Sequence, residues 1–251
     1  MTEFQVNING IDINAKYSDD EITGIFEPLL LRLTELYMEK KKRVLVFLAA
    51  PPGAGKSTLA SFLEHLSKER AEFENLQAIG MDGFHRRQEY LQTHTLIREG
   101  KEISMVEVKG TPETFDLEKL ENAIKTVLKD KTCGWPAYDR LLHNPVENVI
   151  TVDKEIILLE GNYLLLDTEG WKNLSSYADY TISISADEEM LRERLIARRI
   201  ASGHEEESAA AFVDFSDIYN VRLFNEHSKS ADLMLRLDKD GRFNEFDFSE
   251  N

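Results

Sequence analysis

Val44-Leu45-Val46-Phe47-Leu48-Ala49-Ala50-Pro51-Pro52-Gly53-Ala54-Gly55-Lys56-Ser57-Thr58 decides how the chain is read. Its first five residues form a continuous apolar run, the pattern of a parallel strand buried on both faces. Pro51 to Ser57 interrupt it with small residues, and Thr58–Arg70 then sets Leu59, Phe62, Leu63 and Leu66 on one helical face. In a strand–loop–helix unit of this kind, backbone N–H groups curl around an anion and the helix N-terminus adds its positive dipole end. The loop fits G-x-x-x-x-G-K-[ST] except at the first position, where Ala50 stands. Alanine disfavours positive φ, so ordinary backbone is expected at that corner. The pattern makes Pro52, Gly53, Ala54, Gly55, Lys56, Ser57 and Thr58 the candidate nucleotide-binding residues. Lys56 would reach the β- and γ-phosphates of ATP, and Ser57 would offer a hydroxyl to Mg²⁺.

Working outward, residues 1–20 alternate apolar and polar around Asn9-Gly10, which predicts a β-hairpin. Asp20–Lys41 carries Ile22, Ile25, Phe26, Leu29, Leu30, Leu33 and Leu36 at helical spacing. The helix ends in the charge run Lys40–Arg43, which reads as a solvated helix end. Downstream, Leu76–Met81, Ile156–Leu159, Tyr180–Ser185 and Ala231–Leu237 read as strands, and Asp116–Lys129, Asp187–Ser202 and Glu206–Ser228 as helices, with Asp116 as an N-cap. Gln88–Glu107 is mostly polar and ambiguous. Trp135 and Pro136 read as core or as a pocket wall. The tail after Leu237 is acidic, with Phe243, Phe246 and Phe248 suggesting that part of it docks. Strands alternating with helices give an α/β fold with a mostly parallel sheet. Ligands of such sheets bind beyond the carboxyl ends of the strands.

Two carboxylates fall at those ends. Asp82 follows Leu76–Met81, and Glu160 follows Ile156–Leu159. A carboxylate near a γ-phosphate can accept the proton of an attacking hydroxyl. An Asp-Gly turn is the plain alternative for Asp82, and a solvent-facing strand end for Glu160.

Five motifs occur in order: Gly53–Ser57, Met81-Asp82-Gly83-Phe84-His85, Gly110-Thr111-Pro112-Glu113-Thr114-Phe115-Asp116, Pro136-Ala137-Tyr138-Asp139-Arg140 and Leu159-Glu160-Gly161-Asn162-Tyr163. Together they resemble the phosphoribulokinase/uridine kinase superfamily, which also contains bacterial pantothenate kinase. Within it they resemble the fructose-transport-system-kinase-like, or nucleoside/nucleotide kinase-like, branch. The likeness spans about residues 43–237. It implies a three-layer α/β/α P-loop NTPase fold, with 43–237 as the kinase domain, 1–42 as a hairpin-helix extension and 238–251 as an acidic tail. It further implies Asp82 as general base and Glu160 as a Walker-B-like partner of Mg²⁺, acting with Ser57. Tyr138, Asp139 and Arg140 would lie on a loop facing the acceptor, and Asn162 belongs to the Glu160 motif. His85 and Arg86 either contact the acceptor or sit in a solvated loop.

Composition narrows the partners. The 30 Lys and Arg against 46 Asp and Glu leave a formal charge of −16, which repels nucleic acid and anionic lipid. A nucleotide site on such a protein must hold its own positive charge. Leu191–Ile200 does so, with Arg194 and Arg198 four residues apart on one helical face. A lid helix could close them on the nucleotide. The alternative is a helix whose arginines pair with Glu188, Glu189 and Glu193. A single cysteine, Cys133, and apolar runs too short for a membrane span are expected of a cytoplasmic protein. His94, His143, His204 and His227 show no metal-ligand spacing.

The expectation is a kinase that uses ATP and Mg²⁺ to phosphorylate a hydroxyl of a small metabolite: a sugar, a nucleoside or a pantothenate-like compound. The runner-up is a P-loop ATPase or switch acting on a protein partner. The guanine-reading N-K-x-D is absent from the sequence. The N-terminal extension reads equally as a homodimer contact or as a cap on the sheet.

Overall fold

The computed structural model describes residues 1–8 and 10–246. The Asn9 half of the expected turn and the docking of Phe248 lie outside them. Strands β1 (Thr2–Ile8) and β2 (Ile11–Tyr17) pair antiparallel with Ile8 opposite Ile11. The long helix that follows runs as α1 (Asp19–Glu21), a π-helical turn Ile22–Phe26 and α2 (Glu27–Lys40). Ser18 and Glu21 close a capping box at its start. Next come β3 (Val44–Ala49), α3 (Lys56–Glu69), β4 (Leu76–Gly80) and a 3₁₀ turn, Met81–Phe84.

The ambiguous segment resolves into α4 (Gln88–Thr93) and a small hairpin of β5 (Thr95–Arg98) and β6 (Lys101–Ser104). Helix α5 (Leu117–Lys129) is capped by Asp116, whose side chain accepts from the Lys119 amide. Then β7 (Cys133–Asp139) and β8 (Asn144–Val152) form a ribbon that sequence patterning does not announce. Its register shifts between Trp135 and Ala137, at Pro136, where a residue without an N–H cannot continue a ladder. The chain continues as β9 (Ile156–Gly161), β10 (Tyr180–Ala186), α6 (Glu188–Ala201) and α7 (Glu206–Phe212). A π turn leads into α8 (Ile218–His227), followed by β11 (Leu233–Leu237) and β12 (Phe243–Glu245).

The central sheet has the order β12-β11-β10-β3-β9-β4 and is parallel except for β12. Strand β3 is buried along its whole length, and its alternating residues feed two cores. Val44, Val46 and Leu48 join α2, α3 and the N-terminal hairpin, while Leu45, Phe47 and Ala49 join α5, Trp135 and Tyr163. That makes three layers, α/β/α. Register then sets the active edge: Leu48 pairs with Glu160, and Glu160 with Gly80. The P-loop, Glu160 and the Met81–Phe84 turn therefore emerge side by side.

Two ties were not visible in the sequence. The hairpin packs on α3, with Tyr17 stacked on Phe62 at 4.1 Å and Phe4 edge-on to Phe62 at 5.3 Å. Contacts of this kind add about 0.5–1.5 kcal/mol each beyond area burial. Arg43, grouped above with a solvated charge run, is instead buried. It donates to the carbonyls of Lys154 (2.9 Å), Val127 (2.6 Å), Asp130 (2.7 Å) and Lys131 (2.5 Å), closing the C-terminus of α5. Among the described residues, no helix is long and apolar enough to cross a membrane.

Candidate active site

The phosphate loop takes the shape that its glycines permit. Gly53 has φ 85° and Gly55 φ 81°, while Ala50 is buried and absent from the positive-φ residues. Gly55 is the N-cap of α3, so the first N–H groups of that helix are offered to whatever enters the loop. Helix α6 lies directly over it. A Cβ at Gly53 would stand 3.1 Å from Leu195 Cγ, and one at Gly55 would stand 3.6 Å from Arg194 Nη2.

Glu160 reaches the loop from the neighbouring strand. Ser57 Oγ donates to Glu160 Oε1 at 2.8 Å, and Lys56 Nζ lies 4.0 Å from Glu160 Oε2. The absence of a side chain at Gly80 leaves room for that carboxylate. Burial pushes the Glu160 pKa up; Lys56 opposes this, Asp82 adds to it, and the Ser57 hydrogen bond opposes it. A carboxylate and a hydroxyl held together beside a second carboxylate are hard oxygen donors. That donor set fits Mg²⁺. Asp82 sits in the 3₁₀ turn, which is pinned at Gly83: any side chain there would collide with the Pro136 carbonyl of the β7–β8 ribbon.

A smaller cavity of about 180 Å³ opens beside this group, lined by Asp82, Glu160, Gly83, Pro136, Tyr138 and Ile150, among others. The Tyr138 hydroxyl accepts from Lys109 Nζ at 2.6 Å, and its pKa is raised, first by burial and then by Asp82. Lys109 also donates to Gln88 Oε1 (3.1 Å) and to the His143 carbonyl (3.2 Å). Lys109 was not singled out from the sequence; its only signal there is its place just before the Gly110–Asp116 motif.

Other expected site residues fall at varied places. His85 is half-buried and stacks on Phe115 with centroids 3.9 Å apart; desolvation, opposed by Asp82, lowers its pKa to about 4. Its Nδ1 has no partner, and its ring meets Tyr138 edge-on at 5.3 Å. Arg86 turns to Asp116 (3.7 Å) and covers the Tyr90 ring (4.6 Å). Asp139 accepts from the amides of Leu141 (2.8 Å) and Leu142 (2.9 Å), so it caps the ribbon turn. The Asn162 carbonyl oxygen is buried without a hydrogen bond, as are polar side-chain atoms of Thr111, Asn220 and Asp217.

The arginines of α6 divide. Arg192 is bound to Asp214 by two hydrogen bonds (2.6 and 2.9 Å), and Arg199 lies over the Phe212 ring at 3.7 Å. Arg194 and Arg198 instead line a cleft of about 330 Å³ with the P-loop, Asp82 and Arg140. Burial lowers the pKa of Arg194, and burial together with Arg198 lowers that of Arg140. A guanidinium does not give up its proton at neutral pH, so these shifts record partly desolvated cations crowded where an anion would relieve them.

A P-loop at the edge of a parallel sheet, two carboxylates beside it and an arginine helix above it define a P-loop phosphotransferase. The chain belongs to the Phosphoribulokinase / Uridine kinase family, whose model matches residues 45–237. It is 39% identical over 242 residues to the protein YggC of Escherichia coli (strain K12), covering 96% of this chain and 98% of that one. It is 29% identical over 217 residues to C227.14, a candidate uridine kinase of Schizosaccharomyces pombe, covering 84% and 90% of the two chains. The structure of a candidate fructose transport system kinase from Silicibacter sp. TM1040 superposes with a TM-score of 0.71 at 28% identity, covering 82% of this chain and 98% of that one. The protein is thus a small-molecule kinase.

Proposed function

We propose that this kinase transfers the γ-phosphoryl group of ATP to a hydroxyl of a small metabolite. The observation that carries the reading is the contact of Ser57 with Glu160 at 2.8 Å, with Lys56 beside it, next to the turn bearing Asp82. It joins phosphate loop, metal donors and candidate base in one place. The loop amides and Lys56 would hold the phosphates, and Ser57 and Glu160 would hold Mg²⁺, which when bound would neutralise charge on the phosphate oxygens.

Asp82 accepts the proton of the incoming hydroxyl. A phosphate acceptor carries no such proton at neutral pH, so the base favours an alcohol. Arg194, Arg198 and Arg140 stabilise the charge that develops in transfer. Asp82, Tyr138 and Glu160 line the cavity in which the acceptor would sit. His85 backs Tyr138, while Arg86 and Asp139 shape the loops around them. Residues 43–237 form the working kinase domain.

The test is ADP release from MgATP with and without a panel of sugars, nucleosides and pantothenate-like alcohols. One acceptor should stimulate release strongly, and Asp82→Asn should abolish the stimulation. Hydrolysis that needs no acceptor and ignores Asp82→Asn would replace this reading with an ATPase acting on another partner.

A further inference from the structure

The 330 Å³ cleft changes character along its length. Around the P-loop its lining is charged, with Lys56, Asp82, Arg140, Arg194 and Arg198. The rest of the lining comes from the N-terminal hairpin and from the β11–β12 ribbon: Ile11, Ile13 and Ala15 with Asn14 and Lys16 on one side, Leu237, Gly241 and Phe243 on the other, while Ile8, at the hairpin tip, also lines the smaller cavity beside Asp82 and Glu160. Side chains on a strand alternate, so Ile11, Ile13 and Ala15 share a face with Tyr17. Tyr17 is buried against Phe62 and Phe243, whereas Ile8, Ile11, Ile13 and Ala15 are only half-buried. Their unburied apolar surface faces the cleft.

Topology says which part of a ligand would meet it. The candidate base, Asp82, follows β4, on the β9 side of the P-loop strand β3. Transfer to an acceptor is in line, so the leaving nucleoside diphosphate must extend away from the attacking hydroxyl. Away from Asp82 means toward β10 and β11, about 10 Å along the sheet edge. There the β11–β12 ribbon meets the hairpin at Tyr17, the end opposite its tip, with the Tyr17 and Phe243 rings 6.4 Å apart.

We infer that the N-terminal hairpin is the base-binding wall of the nucleotide site: Ile11, Ile13 and Ala15 line, with Leu237 and Phe243, a slot that takes the heteroaromatic base. This rests on the kinase reading above and assigns residues 1–17 a direct part in it. A flat, weakly polar ring matches a slot whose two walls are aliphatic and aromatic, as the triphosphate matches the cationic end. The hairpin is then part of the substrate site, in addition to its packing on α3.

Calorimetric titration of the full chain with MgATP and with magnesium tripolyphosphate, which has phosphates but no base, tests this. Ile11→Ser/Ile13→Ser should weaken MgATP binding at least roughly ten-fold, the loss expected when one or two apolar contacts are removed. Tripolyphosphate affinity should be unchanged, which also reports an intact fold. Val6→Ser changes the cross-strand partner of Ile13, on the same hairpin face but outside the cleft lining, and should leave both affinities alone. Equal loss for the two ligands, or no loss for MgATP, overturns the inference while the phosphate site stands. A wild-type chain that binds neither ligand overturns both readings.

Discussion

The sheet edge and helix α6 both bring charge to the cleft, but they hold it in different ways. Glu160 is the penultimate residue of a strand paired on both sides, and its partner Ser57 starts the helix after the next strand over. Backbone register alone places it. Arg194 and Arg198 stand on a helix held by packing of its buried Leu191 and Leu195 and by surface pairs: Arg192 to Asp214, and Arg222 to Glu188 at 2.7 Å. Exposed pairs of that kind contribute little each, about 0–1 kcal/mol. The acidic side is therefore fixed by backbone pairing, and the cationic side, held by side chains without a strand ladder, is the more adjustable of the two. A kinase needs both, since metal and base must be in place beforehand while the cations must admit and release a nucleotide.

The comparison can be broken at its fixed side first. Asp82→Asn should lower kcat on the order of 10³-fold while MgATP affinity is retained, because a missing base affects only the transition state. Steady-state kinetics with parallel titration separates the two, and equal loss of both would show that Asp82 serves binding.

At the adjustable side, Arg198→Ala should cost kcat roughly 10²-fold, a loss typical of one donor removed from a developing charge. If Arg198→Lys restores nothing and thermal stability drops, the residue is structural.

His85 gives the fixed side an acid sensitivity. Burial holds its pKa near 4, against 6.5 for the free side chain, so the unfolded chain takes up that proton first as pH falls. Stability present above pH 6.5 should be lost progressively towards pH 4, by up to roughly 3 kcal/mol. His85→Gln should flatten that part of a melting-temperature profile; parallel slopes for the two proteins would assign the sensitivity elsewhere. Smallest of all, Arg192→Ala should leave turnover within a factor of about three, since it breaks only an exposed pair. A large loss would mean that the brace itself sets the position of α6.

Much of this arrangement is legible in residue order. Val44–Ala49 and Ile156–Gly161 announce themselves because strands buried on both faces are apolar throughout, and chemistry placed just after such strands must emerge at one edge. The β7–β8 ribbon was silent: its Pro136 and its half-exposed faces give no clean alternation. Arg43 looked like surface charge because its four acceptors are backbone carbonyls distant in sequence, which no local pattern records. Lys109 was overlooked for a similar reason, since its role depends on Tyr138 and His143 arriving beside it. The hairpin was recognised as a hairpin, but nothing in its alternation says which surface it covers.

Glu21 and Phe243 are 222 residues apart, yet the Phe243 amide donates to Glu21 Oε1 at 2.8 Å. The Phe243 ring joins Tyr17, Phe26 and Phe62 in one aromatic cluster. During synthesis, the P-loop strand β3 lacks its neighbour β10 until residue 186 has left the ribosome, and the wall that includes Leu237 and Phe243 follows later still. Contacts this distant in sequence form late, because the loop they close is long. A nascent chain therefore closes this cluster only when its last strand docks, after every strand of the parallel sheet has been made.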